Sequence, residues 1–381
     1  MWRYMTAGES HGKGILALVD HFPAGLKIDT DAIDAELRRR QGGYGRGGRQ
    51  KLEQDHVEIL TGIWRGKTLG SPIALWVVNN DYKIEKMDDL RRPRPGHGDL
   101  SGSMKYGGSI RAILERASAR ETAARVAVGA LAKQLLGAVG IRVMGYVKRI
   151  GPLELPPESD DFDTLLELRR RSEIYSGAPT LDPQVKKLID EVRDAGDTVG
   201  GIVEIIAVGV PFGLGTHTQW DRRLDGLFAQ SLMAVQAVKG VEVGLGFEVT
   251  RRTGSKVHDP IGFNPENVKT PTLGFERASN NAGGMEAGMT NSQPLVLRVA
   301  LKPISTLRQP LPSVNLDTKQ PEQASYERSD VCAVAAGSVV LENVAAFVIA
   351  AALIEKFGGD SLEEIVDRWE LFHKRRTGKP T

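Results

Sequence analysis

From Val331 to Leu353 the chain reads VCAVAAGSVVLENVAAFVIAAAL, and Glu342 is the one charged residue in it. Such a stretch forms a helix with no face to offer water, so it must be buried on nearly all sides. A single sheet covers only one side of a helix. The chain is therefore expected to place helices between sheets.

The flanking patterns supply those sheets. Strand-like runs fall at residues 2 to 6, 14 to 19, 57 to 63, 72 to 78, 141 to 148, 201 to 210, 241 to 249 and 295 to 302. Helical patterns fall at 30 to 40, from near Ala119 to Gly137, at 220 to 237 and at 361 to 373. Strand pairs close in sequence favour antiparallel sheets, and no regular βαβ period appears. The fold class expected is α+β, with long central helices layered between antiparallel sheets. No Gly/Ser-rich or Pro-rich linker divides the 381 residues, which read as a single domain over 1–381. Residues 151 to 197 are polar and charged, and read as a peripheral excursion from it.

Composition narrows the function. Lys+Arg is 50 against Asp+Glu at 48, so the chain lacks the broad cationic surface of a general nucleic-acid binder. Cys332 is the only cysteine, which rules out an internal disulfide and a thiolate metal cluster, and its apolar neighbours suggest an inert buried thiol. Seven histidines show no i, i+4 pairing, so no metal is expected. MWRYMTAGESHG lacks the apolar core of a signal peptide, and Glu342 keeps any apolar run below about 18 residues. A soluble, cytoplasmic protein with no membrane or nucleic-acid partner is expected.

Charge is concentrated in one place. Between Arg91 and Arg125 lie seven arginines (91, 92, 94, 111, 116, 120, 125), Lys105 and His97, against only Asp99, Glu115 and Glu121. Pro93 and Pro95 flank Arg94, while Gly96 and Gly98 flank His97, so this is a stiffened loop that presents both side chains. Ser118 to Glu121 reads as a capping box, which starts a helix near Ala119 and aims its free N–H groups at the loop. The pattern suits a small ligand carrying phosphate and carboxylate groups, which arginine grips bidentately. A solvated face with weak ion pairs is the alternative.

His97 among Arg91, Arg92 and Arg94 should have its cationic form disfavoured until a polyanion binds, after which it can protonate a departing phosphate. His11 stands at the tip of the tight Gly8–Gly12 connection, GESHG. Arg38, Arg39 and Arg40 run into QGGYGRGGRQ, a glycine-rich loop carrying Arg46 that matches G-x-G-x-x-G without the strand and helix the dinucleotide motif needs. Arg328 and Asp330 precede the uncharged helix, as a ligand arginine and a base or as a helix-start ion pair. Loops 41 to 54 and 303 to 327 are candidates to close over a ligand. From the residues alone the reading ends at an enzyme acting on a small phosphorylated acid. A phosphoryl-transfer enzyme with a histidine nucleophile and an RNA-binding module using 36–51 and 91–125 remain alternatives.

Three separated segments carry a resemblance: GESHG followed by an apolar strand, RASARETAARV at Arg116 to Val126, and RSD at Arg328 to Asp330 with the helix bearing Glu342-Asn343. In this order they resemble the chorismate synthase family over essentially the whole chain. The resemblance implies a β-α-β sandwich, a homotetramer, and a lyase that eliminates phosphate 1,4 from 5-enolpyruvylshikimate 3-phosphate with reduced FMN. NADPH, or a separate flavin reductase, would supply the reduced flavin. By matching motifs it implies His97 as the acid for the phosphate, His11 as proton partner of the flavin, and Asp330 as the carboxylate assisting proton removal at flavin N5. Ser10 and Ser118 stand near them. Arg40, Arg46, Arg94, Arg120 and Arg328 match anion-holding positions, with Arg40 and Arg46 sometimes attached to NADP. Arg40 and Arg46 thus count among the cofactor positions through NADP, and for FMN the matches are Arg116, Ala117, Ser118, Gln236, Ala237, Ala287, Lys302, Pro303, Ile304, Ser305, Thr306 and Arg328. Ala287 and Ala117 stand where some members have glycine and serine, so contacts there would come from backbone.

Overall fold

The computed structural model describes residues 3–47, 54–327 and 329–377. Two antiparallel sheets enclose a helical interior. The first runs in the order Arg3–Gly8, Gly14–Asp20, Ile73–Val78, Val57–Thr61. The second runs Val238–Val243, Leu295–Leu301, Gly201–Val208, Arg142–Ile150, Leu153–Glu154. Strict alternation of buried and half-buried residues along Leu295–Leu301 shows why this segment is a strand: one face meets the core and the other does not.

Between the sheets lie two helical layers. Thr122–Gly137 packs on Gly14–Asp20 and Ile73–Val78 of the first sheet, and Val334–Phe357 packs on Arg142–Ile150 and Gly201–Val208 of the second. The two helices also pack on each other, with Thr30–Gln41 against both. Gly129 makes their approach possible, since a Cβ there would sit 2.3 Å from Asn343 Cβ. Leu131, Leu135, Val339 and Leu353 are wholly enclosed, each worth roughly 1.5–3 kcal/mol of apolar burial. The Val334–Phe357 helix is long and apolar enough to cross a membrane, with mean hydropathy 2.1, contrary to the expectation that no run reaches that length. Glu342 falls inside a run that stays strongly apolar in spite of it. Of that window 83% is buried within the protein, so its apolarity is used by the sheets.

Glu342 itself is buried mid-helix and takes Arg39 at 3.0 Å and Arg169 at 2.8 Å, with Lys133 also on it. Burial works against its ionisation. The three cations overcome that and hold its carboxyl well below the usual range. Arg169 comes from the 151–197 segment, whose helix Phe162–Arg171 covers Met144 and Tyr146 of the second sheet through Leu165.

Several expected boundaries moved. The 220–237 helix is a single turn at Trp220–Arg222 followed by Leu224–Met233, and the strand after it runs Val238–Val243 rather than to 249. Gly244 and Gly246 both take positive φ (58° and 56°), which breaks the pleat at that point. Residues 303 to 327 include a small hairpin, Pro312–Val314 with Pro321–Gln323.

Candidate active site

The GESHG connection is held from two sides. Asn79 donates its amide to the carbonyls of Glu9, Ser10 and Gly12 at 3.0, 3.2 and 2.8 Å. The Ser10 N–H donates to the Glu115 carbonyl at 2.9 Å, and Ser118 Oγ donates to Ser10 Oγ at 3.1 Å. His11 Nδ1 lies 2.9 Å from Glu115 Oε1. Ser118 does cap, accepting the Arg120 N–H at 3.2 Å, but the box is only half formed. Glu121 turns away from the cap's N–H to take Thr6 Oγ1, Arg125 and Gln236, because those partners compensate a buried carboxylate more strongly. A short turn at Ala119–Glu121 therefore precedes the α-helix, which begins at Thr122.

The arginines expected to be in surplus are met by acids from distant segments. Asp55 lies 2.7 and 2.8 Å from Arg120 Nη1 and 2.5 Å from Arg40 Nη2. Arg120 Nε also donates to Asn79 Oδ1 at 2.6 Å. Burial opposes the Asp55 charge, and Arg40 and Arg120 more than offset it, so this carboxyl sits below its ordinary range. Burial likewise depresses Arg40, with Asp55 acting the other way. Arg46 pairs with Asp330, whose other oxygen accepts the Gly47 N–H at 2.7 Å.

A second group forms around the proline–glycine loop. Arg94 contacts Asp99 through its backbone N–H, Nε and Nη2, and donates Nη1 to Thr306 Oγ1 at 2.9 Å. His97 Nδ1 lies 2.5 Å from Asp99 Oδ1. Arg91 and Arg92 instead pair with Asp89 and Glu322, so the all-cationic surroundings expected of His97 are corrected: its neighbours are Arg94 and the buried Asp99. Burial disfavours that carboxylate, but hydrogen bonds from His97 and Arg94 hold it well below the usual range. Ser329 Oγ donates to the Thr306 carbonyl at 3.2 Å, which ties this group to the segment carrying Asp330.

The cofactor matches divide. Arg116 donates to the carbonyls of Gly8 and Thr6 at 3.1 and 2.9 Å, from the helix that Ala117 ends. The Lys302 N–H donates to the Ala237 carbonyl at 2.9 Å, which sets the 302–306 run beside 236–237. Lys302 Nζ donates to the Gly96 carbonyl at 2.9 Å, and a Cβ on Gly96 would lie 3.7 Å from Ser305 Cβ. Ile304 offers its carbonyl to Thr198 Oγ1 at 2.7 Å, and Pro303 lies between them. Gln236 Oε1 is buried with no hydrogen-bond partner among the described residues. Ala287 lies in the tight turn between Met285–Glu286 and Met289–Asn291, whose Gly288 carbonyl accepts the Leu224 N–H at 2.9 Å. Arg328 lies outside the described residues.

Sequence reasoning missed Asp55, Asn79, Asp99 and Glu115 as partners. Asp99 and Glu115 carried a signal as acids of the arginine stretch, Asp99 two residues beyond His97 at a helix start, whereas Asp55 and Asn79 carried none. Cavities of about 480 and 600 Å³ lie elsewhere, lined by Phe212, Phe275 and Phe372 and by Arg39, Lys133 and Arg169 respectively.

A histidine beside a buried carboxylate at each end of a row of arginines suits an enzyme of small polyanions. Residues 2–354 match the family model described as chorismate synthase. Chorismate synthases of Geobacter metallireducens and Aquifex aeolicus are 51% and 50% identical over 379 and 389 residues, with 96% and 97% of this chain and 96% of each relative covered. A crystal structure of a chorismate synthase superposes with a TM-score of 0.80 at 43% identity, covering 99% of this chain and 98% of the other. The chain belongs to the chorismate synthase family.

Proposed function

We propose that chorismate formation takes place between His11 and His97, on the arginines that join them. The observation that carries this is a continuous line of contacts. Arg120 meets Asp55, Asp55 meets Arg40, Arg46 reaches the Arg40 carbonyl and Asp330, and Ser329 reaches Thr306, which Arg94 and His97 follow. It draws the three family segments together. A substrate with two carboxylates and a phosphate needs several guanidinium groups, and Arg40, Arg46, Arg94, Arg120 and Arg328 are the ones assigned to it.

In the elimination the C–O bond to phosphate and one ring C–H bond break and a C=C bond forms, with no net redox change. His97 gives its proton to the departing phosphate. His11 holds and moves the proton at the opposite end, with Ser10 and Ser118 beside it, and Asp330 assists proton removal from its place between Arg46 and the Thr306 segment. Arg116, Gln236, Lys302 and Thr306 would hold FMN: the orphaned Gln236 Oε1 and the Lys302 ammonium are polar groups that a flavin's N–H and phosphate would satisfy. When bound, reduced FMN supplies electron density to the allylic centre as phosphate leaves. NADPH use would fall to Arg40 and Arg46, which meet through the Arg40 carbonyl.

The same reading includes a single functional unit with 151–197 as its excursion, a cytoplasmic setting and a homotetramer. Exposed Trp220, Phe247, Ile261 and Phe263 support assembly, and sedimentation velocity tests it. The decisive experiment is anaerobic phosphate release from substrate with FMN, before and after dithionite. Release only after reduction is expected, and equal release without reduced flavin overturns the reading.

A further inference from the structure

Glu115 has no part in the reaction as assigned above, yet it is the closest partner of one of its histidines. It sits near the end of the Ile110–Ala117 helix and is 2% exposed. Its two oxygens divide between two donors of the same residue: Oε2 accepts the His11 backbone N–H at 2.7 Å, and Oε1 lies 2.9 Å from the ring Nδ1. This chelate fixes both the backbone and the rotation of the ring. Burial disfavours the Glu115 charge, but the hydrogen bonds from His11 outweigh it and hold the carboxyl below its ordinary range.

An ionised carboxylate can only accept, so the proton between them belongs to Nδ1. Other charges face the pair. Arg111 Nη1 is 3.9 Å from Glu115 Oε1, while its Nη2 pairs with Glu327 at 2.8 Å. Asp81 lies 3.9 Å from His11 Nε2 and carries Lys83 at 2.9 Å.

We infer that Glu115 is a positioning residue for the reaction, holding His11 in the Nδ1–H tautomer so that Nε2 is the atom that exchanges a proton. This rests on the role given to His11 above. A purely structural pin for the loop would leave the tautomer free, and Glu115→Gln separates the two. The backbone N–H cannot change sides, so the amide oxygen of glutamine stays with it. The amide nitrogen then faces Nδ1 as a donor and drives the ring proton to Nε2.

The test is an imidazole ¹⁵N spectrum of histidine-labelled, ligand-free full-length protein, together with steady-state kinetics. Wild type should show a protonated-type Nδ1 for His11, and Glu115→Gln a protonated-type Nε2. The kcat of Glu115→Gln should fall roughly 10–100-fold with KM within about twofold, as for residues that orient a histidine through its second nitrogen. Glu115→Asp, which keeps a carboxylate, should keep the Nδ1–H pattern and recover part of the loss. A wild-type spectrum with the proton on Nε2 overturns the inference without recourse to any variant, and so does Glu115→Gln with an unchanged tautomer. Full turnover in His11→Ala alongside an Nδ1–H spectrum would instead remove the role of His11, leaving Glu115 a geometric partner only.

Discussion

Replacing Asp55 with asparagine keeps the side chain's shape and removes its charge from between two buried guanidinium groups. Three contacts meet at that carboxylate, at 2.5, 2.7 and 2.8 Å. Asparagine can turn its oxygen to the position shared by Arg40 and Arg120 and keep two of them, but its amide nitrogen then meets Arg120 Nη1 donor to donor. Removing one partner of a buried pair costs about 3–5 kcal/mol, and one lost charge-assisted bond alone about 1.5–3. We expect about 3 kcal/mol, the low end, because two contacts survive in weaker form. The Asp55 carboxyl is held below its ordinary 3.8, so its contribution is complete above that value and is lost as pH falls through the depressed folded-state value. The gap between wild type and Asp55→Asn should therefore be full at pH 7 and narrow below about pH 4. Urea unfolding followed by tryptophan fluorescence measures it. With a slope of about 3 kcal/mol/M the midpoint should drop by about 1 M at pH 7. A drop below about 0.3 M, or the same drop at pH 7 and pH 3, would refute the reasoning.

His97→Ala should slow elimination roughly 10²–10⁴-fold while flavin binding, read by fluorescence, is spared; unchanged turnover removes it from the mechanism. Arg94→Lys cannot reproduce the contacts Arg94 makes to Asp99 and Thr306, so substrate KM should rise, and wild-type affinity counts against the assignment. Gly129→Ala forces a Cβ to within 2.4 Å of the Asn343 carbonyl oxygen and should destabilise by about 1–3 kcal/mol in thermal unfolding. An unaltered melting temperature would mean that the two central helices do not pack this closely.

The layered architecture was legible because one run of residues had no polar face, and a helix of that kind leaves few arrangements open. Strand positions followed from alternation, and errors gathered where glycine conformation decides the end, as at Gly244. The site was legible in its cations and histidines but not in its acids. Arg94, His97, Arg116 and Arg120 share one stretch, whereas Asp55 lies 65 positions from Arg120 and nothing local to either announces the pair. Counting only the acids of the arginine stretch therefore overstated its free charge. Glu115 was in view in that stretch, but its partner His11 is 104 residues away in sequence.

Arg39 and Arg40 are neighbours on one helix that serve opposite directions: Arg39 reaches Glu342 in the interior, while Arg40 reaches Asp55 among the reactive groups. Glu342 is shared with Arg169 of the 151–197 segment. A chimera that exchanges this segment for a relative's would therefore inherit every histidine intact, yet loosen the turn that aims Arg40 unless the graft also delivers a cation to Glu342.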